Sequence, residues 1–348
     1  MSNSVDYLTE LKNYGARVDF VSYHPYDHIF GYWNSTGHTS LPDNANVWTE
    51  SNKAYLRDQI SGIFDAQNAK AVAIRNIFPD VELLSTEWNP SSWEASWYLD
   101  WREKSMAQAL AVMETIFSFS RIGVSQAHYY TLPTGPNTTD TTHPTYKTFQ
   151  FLKDHLGNTL LQSYDNGSPA TTYNRGYVIQ DNSSGTVSLW GLNWGDSSAT
   201  IDFSLTVSGL YNYSMTGCYD LTAPSLLHGK VNGGLTNDFA PPLTQTLPIN
   251  YTPTSSFWNN GLINYSMNIS KASWIACFIT RTPKGPIWTV SLPIIIKSSN
   301  NQMLSGASYL NSNPYPAPGS VNEASVNKSA EMENASSSES TPNPYPYP

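Results

Sequence analysis

Apolar positions along the first 157 residues recur at helical and strand spacings by turns. Leu8 and Leu11 mark one face of a helix over 5–14, which Gly15 stops. Residues 18–23 read as a short apolar strand closed by Pro25, and a polar, aromatic loop follows. A long helix is predicted over about 51–76, ending before Pro79, with the next strand over 81–86. Across 104–119, Met106, Leu110, Met113 and Phe117 return every three or four residues, which is again helical. Residues 124–130 form a third strand. Residues 144–156 form a last helix, with Pro144 at its start and Gly157 at its end. An α-β-α-β-α-β-α series with continuous apolar strands predicts parallel strands buried on both faces.

The pattern changes after about residue 157. "YVIQDNSSGTVSLWGLNW", "ATIDFSLTV", "YNYSMTGCYDL", "GLINYSMNIS" and "ASWIACFIT" alternate over short lengths between turn residues, the signature of an antiparallel β-sandwich over 158–282. From 283 to 348 the chain is rich in Ser, Asn, Pro and Glu, with "NPYP" at Asn313 and again at Asn343. Such a tail buries too little surface to offset its ordering entropy and is expected to be disordered. The segment "IWTVSLPIII" just inside it is an exception, with the pattern of an added edge strand. The fold class is α/β followed by all-β, in three parts: 1–157, 158–282 and 283–348.

Composition narrows the partners. Charged residues are 13% of the 348, about half the usual share of roughly 25%, while aromatics reach 13%. The net charge of -9 leaves no basic patch to displace phosphate counterions, which excludes nucleic acid and an anionic membrane surface. No apolar run is long enough to span a bilayer. N-x-S/T sequons recur, among them Asn182, Asn212, Asn264 and Asn268, and they point to a secreted protein. Residues 1–14 nevertheless lack the basic tract and apolar core of a signal peptide. The two cysteines, Cys218 and Cys277, fall in the β region, where a disulfide and two buried thiols are both open.

The chemistry gathers after the three apolar strands. In "VDFVSYHPYDH", His24 and Tyr26 are two apart and face the same way; in "VELLSTEWN", Glu87 and Asn89 do so; in "VSQAHYY", Gln126, His128 and Tyr130 do so. The carboxyl ends of parallel strands are where barrels and open α/β sheets bind ligands. A carboxylate at the end of a buried strand is costly unless something uses it. Glu87 also reads as a strand-end cap, and His24 as a packed histidine satisfied by backbone. Trp93, Trp97 and Trp101 recur at four-residue spacing, which suits helix packing. A metal site from His24, His28 and His128 is disfavoured, because Pro25 breaks the helical i,i+4 geometry and no ligand motif appears. No metal or cofactor is expected. A serine hydrolase is excluded by the lack of a G-x-S-x-G elbow.

"VDFVSYHPY", followed some sixty residues later by "LLSTEWN" and then by a β-sandwich, resembles strands six and seven of retaining glycoside hydrolases of the large (β/α)8 clan. That clan includes β-xylosidases, α-L-iduronidases and α-L-arabinofuranosidases, and the resemblance covers roughly residues 1–280. It implies a partial TIM (β/α)8 barrel, the last three βα units, with an accessory sandwich and a carbohydrate substrate. Glu87 maps onto the nucleophile, with His24 and Tyr26 beside it as donors that favour its ionised form. Trp33, Trp88, Trp93 and Tyr130 are candidates to stack on sugar rings, and Asn89, His24 and His128 to read hydroxyls. A retaining enzyme needs a second carboxyl group about 5 Å from the first. The clan's acid/base follows an asparagine at the end of strand four, and no such pair ends a predicted strand here; Glu10 and Glu50 belong to helices. The chain is therefore expected to be the carboxyl-terminal portion of a larger enzyme, without turnover alone and with an unpaired edge on its first strand. The competing reading is a non-catalytic carbohydrate-binding or surface protein on a barrel remnant. Neither the sugar nor the oligomeric state is legible.

Overall fold

In the computed structural model of the chain, residues 2–27, 29, 33–34, 37–38, 50–90, 105–130, 143–165, 173–226 and 247–284 are described. The chain clusters into two units, Met1–Ile287 and Trp288–Pro348. The tail expected to be disordered and the "IWTVSLPIII" segment lie outside the described residues, apart from Pro283, which ends a strand, and Lys284.

The first half follows the predicted alternation: α1 (Ser2–Asn13), β1 (Phe20–Ser22), α2 (Glu50–Ile77), β2 (Glu82–Trp88), α3 (Met106–Ile122), β3 (Val124–Tyr129) and α4 (Pro144–His155). A two-residue pair, Trp33–Asn34 with Gly37–His38, lies between β1 and α2. The strands form one parallel sheet in the order β1-β2-β3. Its layers differ from the expectation that both faces are buried. Val21, Leu83 and Trp88 pack with Ala71 and Ile74 of α2 and Val112, Phe119 and Ile122 of α3. On the other face Ser22, His24, Thr86, Gln126 and His128 are exposed. Three strands with their helices cover one face only, and among the described residues β1 and β3 each keep one unpaired edge.

The second half is antiparallel: β4 (Thr159–Asp165), β5 (Asn174–Gln180), β6 (Val187–Asn193), β7 (Ala199–Thr206), β8 (Tyr211–Thr222), β9 (Asn250–Trp258), β10 (Leu262–Ile269) and β11 (Ser273–Pro283). Six strands form one sheet in the order β9-β8-β11-β6-β5-β4, and β7 pairs with β10. The six-stranded sheet is apolar on both faces. One face joins the β7–β10 pair in a core of Val178, Leu189, Phe203, Met267 and Ile279. The other joins α3 and α4 in a core of Phe117, Phe151, Tyr177, Trp190 and Trp274. At Gly191 the Ile269 side chain packs directly on the strand, and a Cβ there would stand 2.3 Å from Ile269 Cδ1. Cys218 and Cys277 face each other across β8 and β11, 4.1 Å apart at Cα, and are joined as a disulfide. No described helix is long and apolar enough to cross a membrane.

Candidate active site

The position of Glu87 follows from a fault in strand register. Ser85 faces Ala127 and Trp88 faces Tyr129, so three steps on β2 match two on β3. The extra residue is a β-bulge, which re-aims side chains. Strict alternation would bury Glu87 with Leu83 and Ser85, both fully buried. The bulge instead leaves the Glu87 carboxylate 39% exposed and hands the buried position to Trp88.

Two neighbours gather on one carboxylate oxygen. Tyr26 Oη donates to Glu87 Oε2 at 2.8 Å, and His24 Nδ1 lies 3.6 Å from the same atom. His24 Nε2 is 2.8 Å from Thr86 Oγ1, which is itself 2.8 Å from Ser22 Oγ. Burial, then the bond to Glu87 and its charge, then Tyr130, push the Tyr26 phenol well above its usual range. Tyr26 therefore stays a protonated donor. The segment carrying it is laid along β2 by Tyr23 N–H to Leu84 O (3.1 Å), Asn89 N–H to Pro25 O (3.4 Å) and Ile29 N–H to Pro90 O (2.8 Å).

Side chains from two helices support this segment. Gln67 of α2 donates to Asp27 Oδ1 at 2.5 Å, and Lys70 Nζ lies 3.9 Å from that oxygen. Burial raises the Asp27 carboxyl to about 6 against the opposing pull of Lys70 and Gln67. On the other side, Ser105 caps α3 by accepting from Gln108 N–H at 3.2 Å. Gln108 Nε2 then reaches Asn89 Oδ1 at 2.8 Å and Tyr129 Oη at 2.9 Å, and Asn89 Nδ2 donates to Tyr130 O at 2.8 Å. A helix start is thus tied to the ends of β2 and β3.

The structure brings together Glu87, His24 and Tyr26, with Tyr130 close enough to weigh on Tyr26. It separates the others. Trp88 was expected to offer a ring face to a sugar; it is instead 2% exposed, edge-on to Phe119 and Tyr129 at 5.5 and 4.8 Å. Asn89 was expected on the Glu87 face and is buried on the Gln108 side. The bulge causes both departures. His128 stands exposed on β3, and Tyr130 keeps about half its surface. The Trp33 side chain and Trp93 lie outside the described residues. Thr86, Asp27 and Gln108 were missed. Only Gln108 had a signal, the S-x-x-Q spacing from Ser105 that marks a helix start.

No protein-family model matches the chain, and no curated protein matches its sequence significantly. Solved structures do match. The bifunctional glucanase-xylanase CelM2 from a metagenome library aligns with 80% of this chain and 47% of its own, at 16% identity and a TM-score of 0.51. A Paenibacillus polymyxa xyloglucanase of glycoside hydrolase family 44 aligns with 79% of this chain and 50% of its own, at 13% identity and 0.50. An α-L-arabinofuranosidase from Thermotoga maritima aligns with 80% of this chain and 56% of its own, at 12% identity and 0.50. The chain thus spans about half the length of the structures it matches. Its fold is like that of glycoside hydrolases.

Proposed function

We propose that the chain is the nucleophile-bearing part of a retaining O-glycosyl hydrolase, the last three βα units of a (β/α)8 barrel with an accessory β-sandwich. One observation carries this reading: Glu87 stands partly exposed at the carboxyl end of β2 with Oε2 held by Tyr26 and faced by His24. With Oε2 so engaged, Oε1 is the oxygen assigned to attack the anomeric carbon. That step forms a glycosyl ester and expels the leaving oxygen, and water then hydrolyses the ester. Protonating an ordinary sugar leaving group requires a second carboxyl group. At the three described strand ends the other carboxylate is Asp27, whose side chain is only 4% exposed and turned to α2. The acid/base is therefore assigned to residues other than these, and passage through the secretory pathway is proposed from the sequons.

The chain alone is expected to attack only substrates whose leaving group needs no proton. Incubation with 2-deoxy-2-fluoro glycosides bearing dinitrophenolate, followed by peptide mass spectrometry, is expected to find the sugar on Glu87 and no adduct in Glu87→Gln. Labelling elsewhere, or none across a panel of pentosides and hexosides, refutes the assignment and favours a non-catalytic carbohydrate-binding protein. Rapid hydrolysis of unactivated oligosaccharides by the purified chain would instead refute the missing acid/base.

A further inference from the structure

The six-stranded sheet changes character along its face toward β7 and β10. On β8 and β11 that face is apolar as far as the disulfide, with Tyr213, Met215, Cys218, Cys277 and Ile279 buried. Cys218 is paired with Thr252 of β9 on one side and Cys277 on the other. Two-residue alternation therefore places Asp220, Thr222, Asn250, Ser273 and Ile275 on this same face beyond the disulfide. Most of that end is polar at positions that a closed core would fill with aliphatic side chains. Two strands do not cover six, and a cleft of about 370 Å³ opens against β10, lined by Asp220, Thr222, Thr252, Thr254, Tyr265 and Asn268 among others.

We propose that this cleft is a second binding site, one that takes a neutral saccharide. Its volume falls within the roughly 300–1,000 Å³ of small-ligand clefts. No lysine or arginine is among its lining residues, which disfavours an anionic ligand. Hydroxyls and one carboxylate beside an aromatic ring match the hydroxyls and apolar face of a sugar. Tyr265 sits at the boundary of the two halves, its hydroxyl 3.9 Å from Cys218 Sγ and its ring held edge-on by Trp258 at 6.4 Å. Asp220 Oδ2 is oriented by Thr222 Oγ1 at 3.0 Å and Asn250 Nδ2 at 3.3 Å. The site owes nothing to Glu87 and stands whether or not that residue is a nucleophile.

The test is affinity gel electrophoresis of the full chain through gels containing arabinoxylan, xyloglucan, hydroxyethyl cellulose or, as an anionic control, polygalacturonate. The protein comes from a host that attaches no N-glycans, since Asn268 lies in a sequon on the cleft wall. Retardation by at least one neutral polysaccharide is expected. Asp220→Ala and Tyr265→Ala should each weaken it about tenfold or more, and Glu87→Gln should leave it unchanged. Asp220→Asn alters charge at constant volume and should weaken retardation with no change in thermal midpoint, which separates a lost contact from a lost fold. No retardation by any neutral gel, retention undiminished by the cleft substitutions, loss with Glu87→Gln, or retention by polygalacturonate alone would each overturn the proposal.

Discussion

Glu87 is useful because one bulge takes it out of the core and one phenol holds it. A hydrogen bond to a charged acceptor contributes roughly 1.5–3 kcal/mol. Tyr26→Phe is accordingly expected to slow fluorosugar labelling of Glu87 about tenfold or more with little change in thermal midpoint. An unchanged labelling rate would make Tyr26 a bystander. Asp27 yields a pH prediction with a definite sign. Its folded pKa, about 6, lies above the ordinary aspartate value of 3.8. Between these values the folded state holds the proton that the unfolded chain has lost, so this group's contribution to stability falls as pH rises from about 4 to 6. Asp27→Asn should therefore gain on the parent chain across that window, by about 3 kcal/mol at neutral pH. Urea denaturation of both proteins at pH 4.5 and 7.5 measures it, and a difference that does not grow with pH contradicts the buried-charge account.

At the scale of elements, the ends of β2 and β3 are fixed by the start of α3. Ser105 caps the helix, Gln108 reaches Asn89 and Tyr129, and Asn89 donates to the Tyr130 carbonyl. Asn89→Ala would leave buried partners short of hydrogen bonds, at a cost of about 1–3 kcal/mol. Chemical denaturation should show that loss, together with slower labelling of Glu87 on the same strand. A neutral result would mean the network reorganises. The elements were largely legible in advance: the three parallel strands, four helices and the change to antiparallel strands all follow hydrophobic spacing. The bulge at Thr86–Glu87 was not legible, because two-residue periodicity assumes an unbroken ladder. That assumption put Asn89 on the Glu87 face.

At the scale of the molecule, the antiparallel sheet is built into the helical half. Phe117 stacks 4.2 Å from Tyr177, Phe151 lies 4.9 Å from Trp274, and Trp274 Nε1 donates to Thr148 Oγ1 at 2.9 Å. Glu114 of α3, fully buried, accepts from Tyr177 Oη at 2.9 Å. The composition change near residue 157 thus marks a change of secondary structure inside one shared core. The disulfide closes a separation of 59 residues across adjacent strands. Chain-entropy reasoning gives about 4 kcal/mol for a loop of that size, with typical values of 2–4. Replacing Cys218 and Cys277 together by alanine should lower unfolding free energy by about that much, and a loss below about 1 kcal/mol would show that the strands hold without it.

The sequence by itself determined the order of elements, the strand ends where polar residues gather, and Glu87 as the carboxylate to watch. Those depend on local periodicity and on residue type, which the chain carries along its length. It left the cysteines open, because pairing depends on which strands become neighbours. Only the tertiary structure decided that β8 and β11 set the two sulfurs opposite each other, that the parallel sheet stays open on its polar face, and that Tyr26 and His24 converge on one oxygen of Glu87. Register, coverage and convergence arise between segments some sixty residues apart, and no local pattern encodes them.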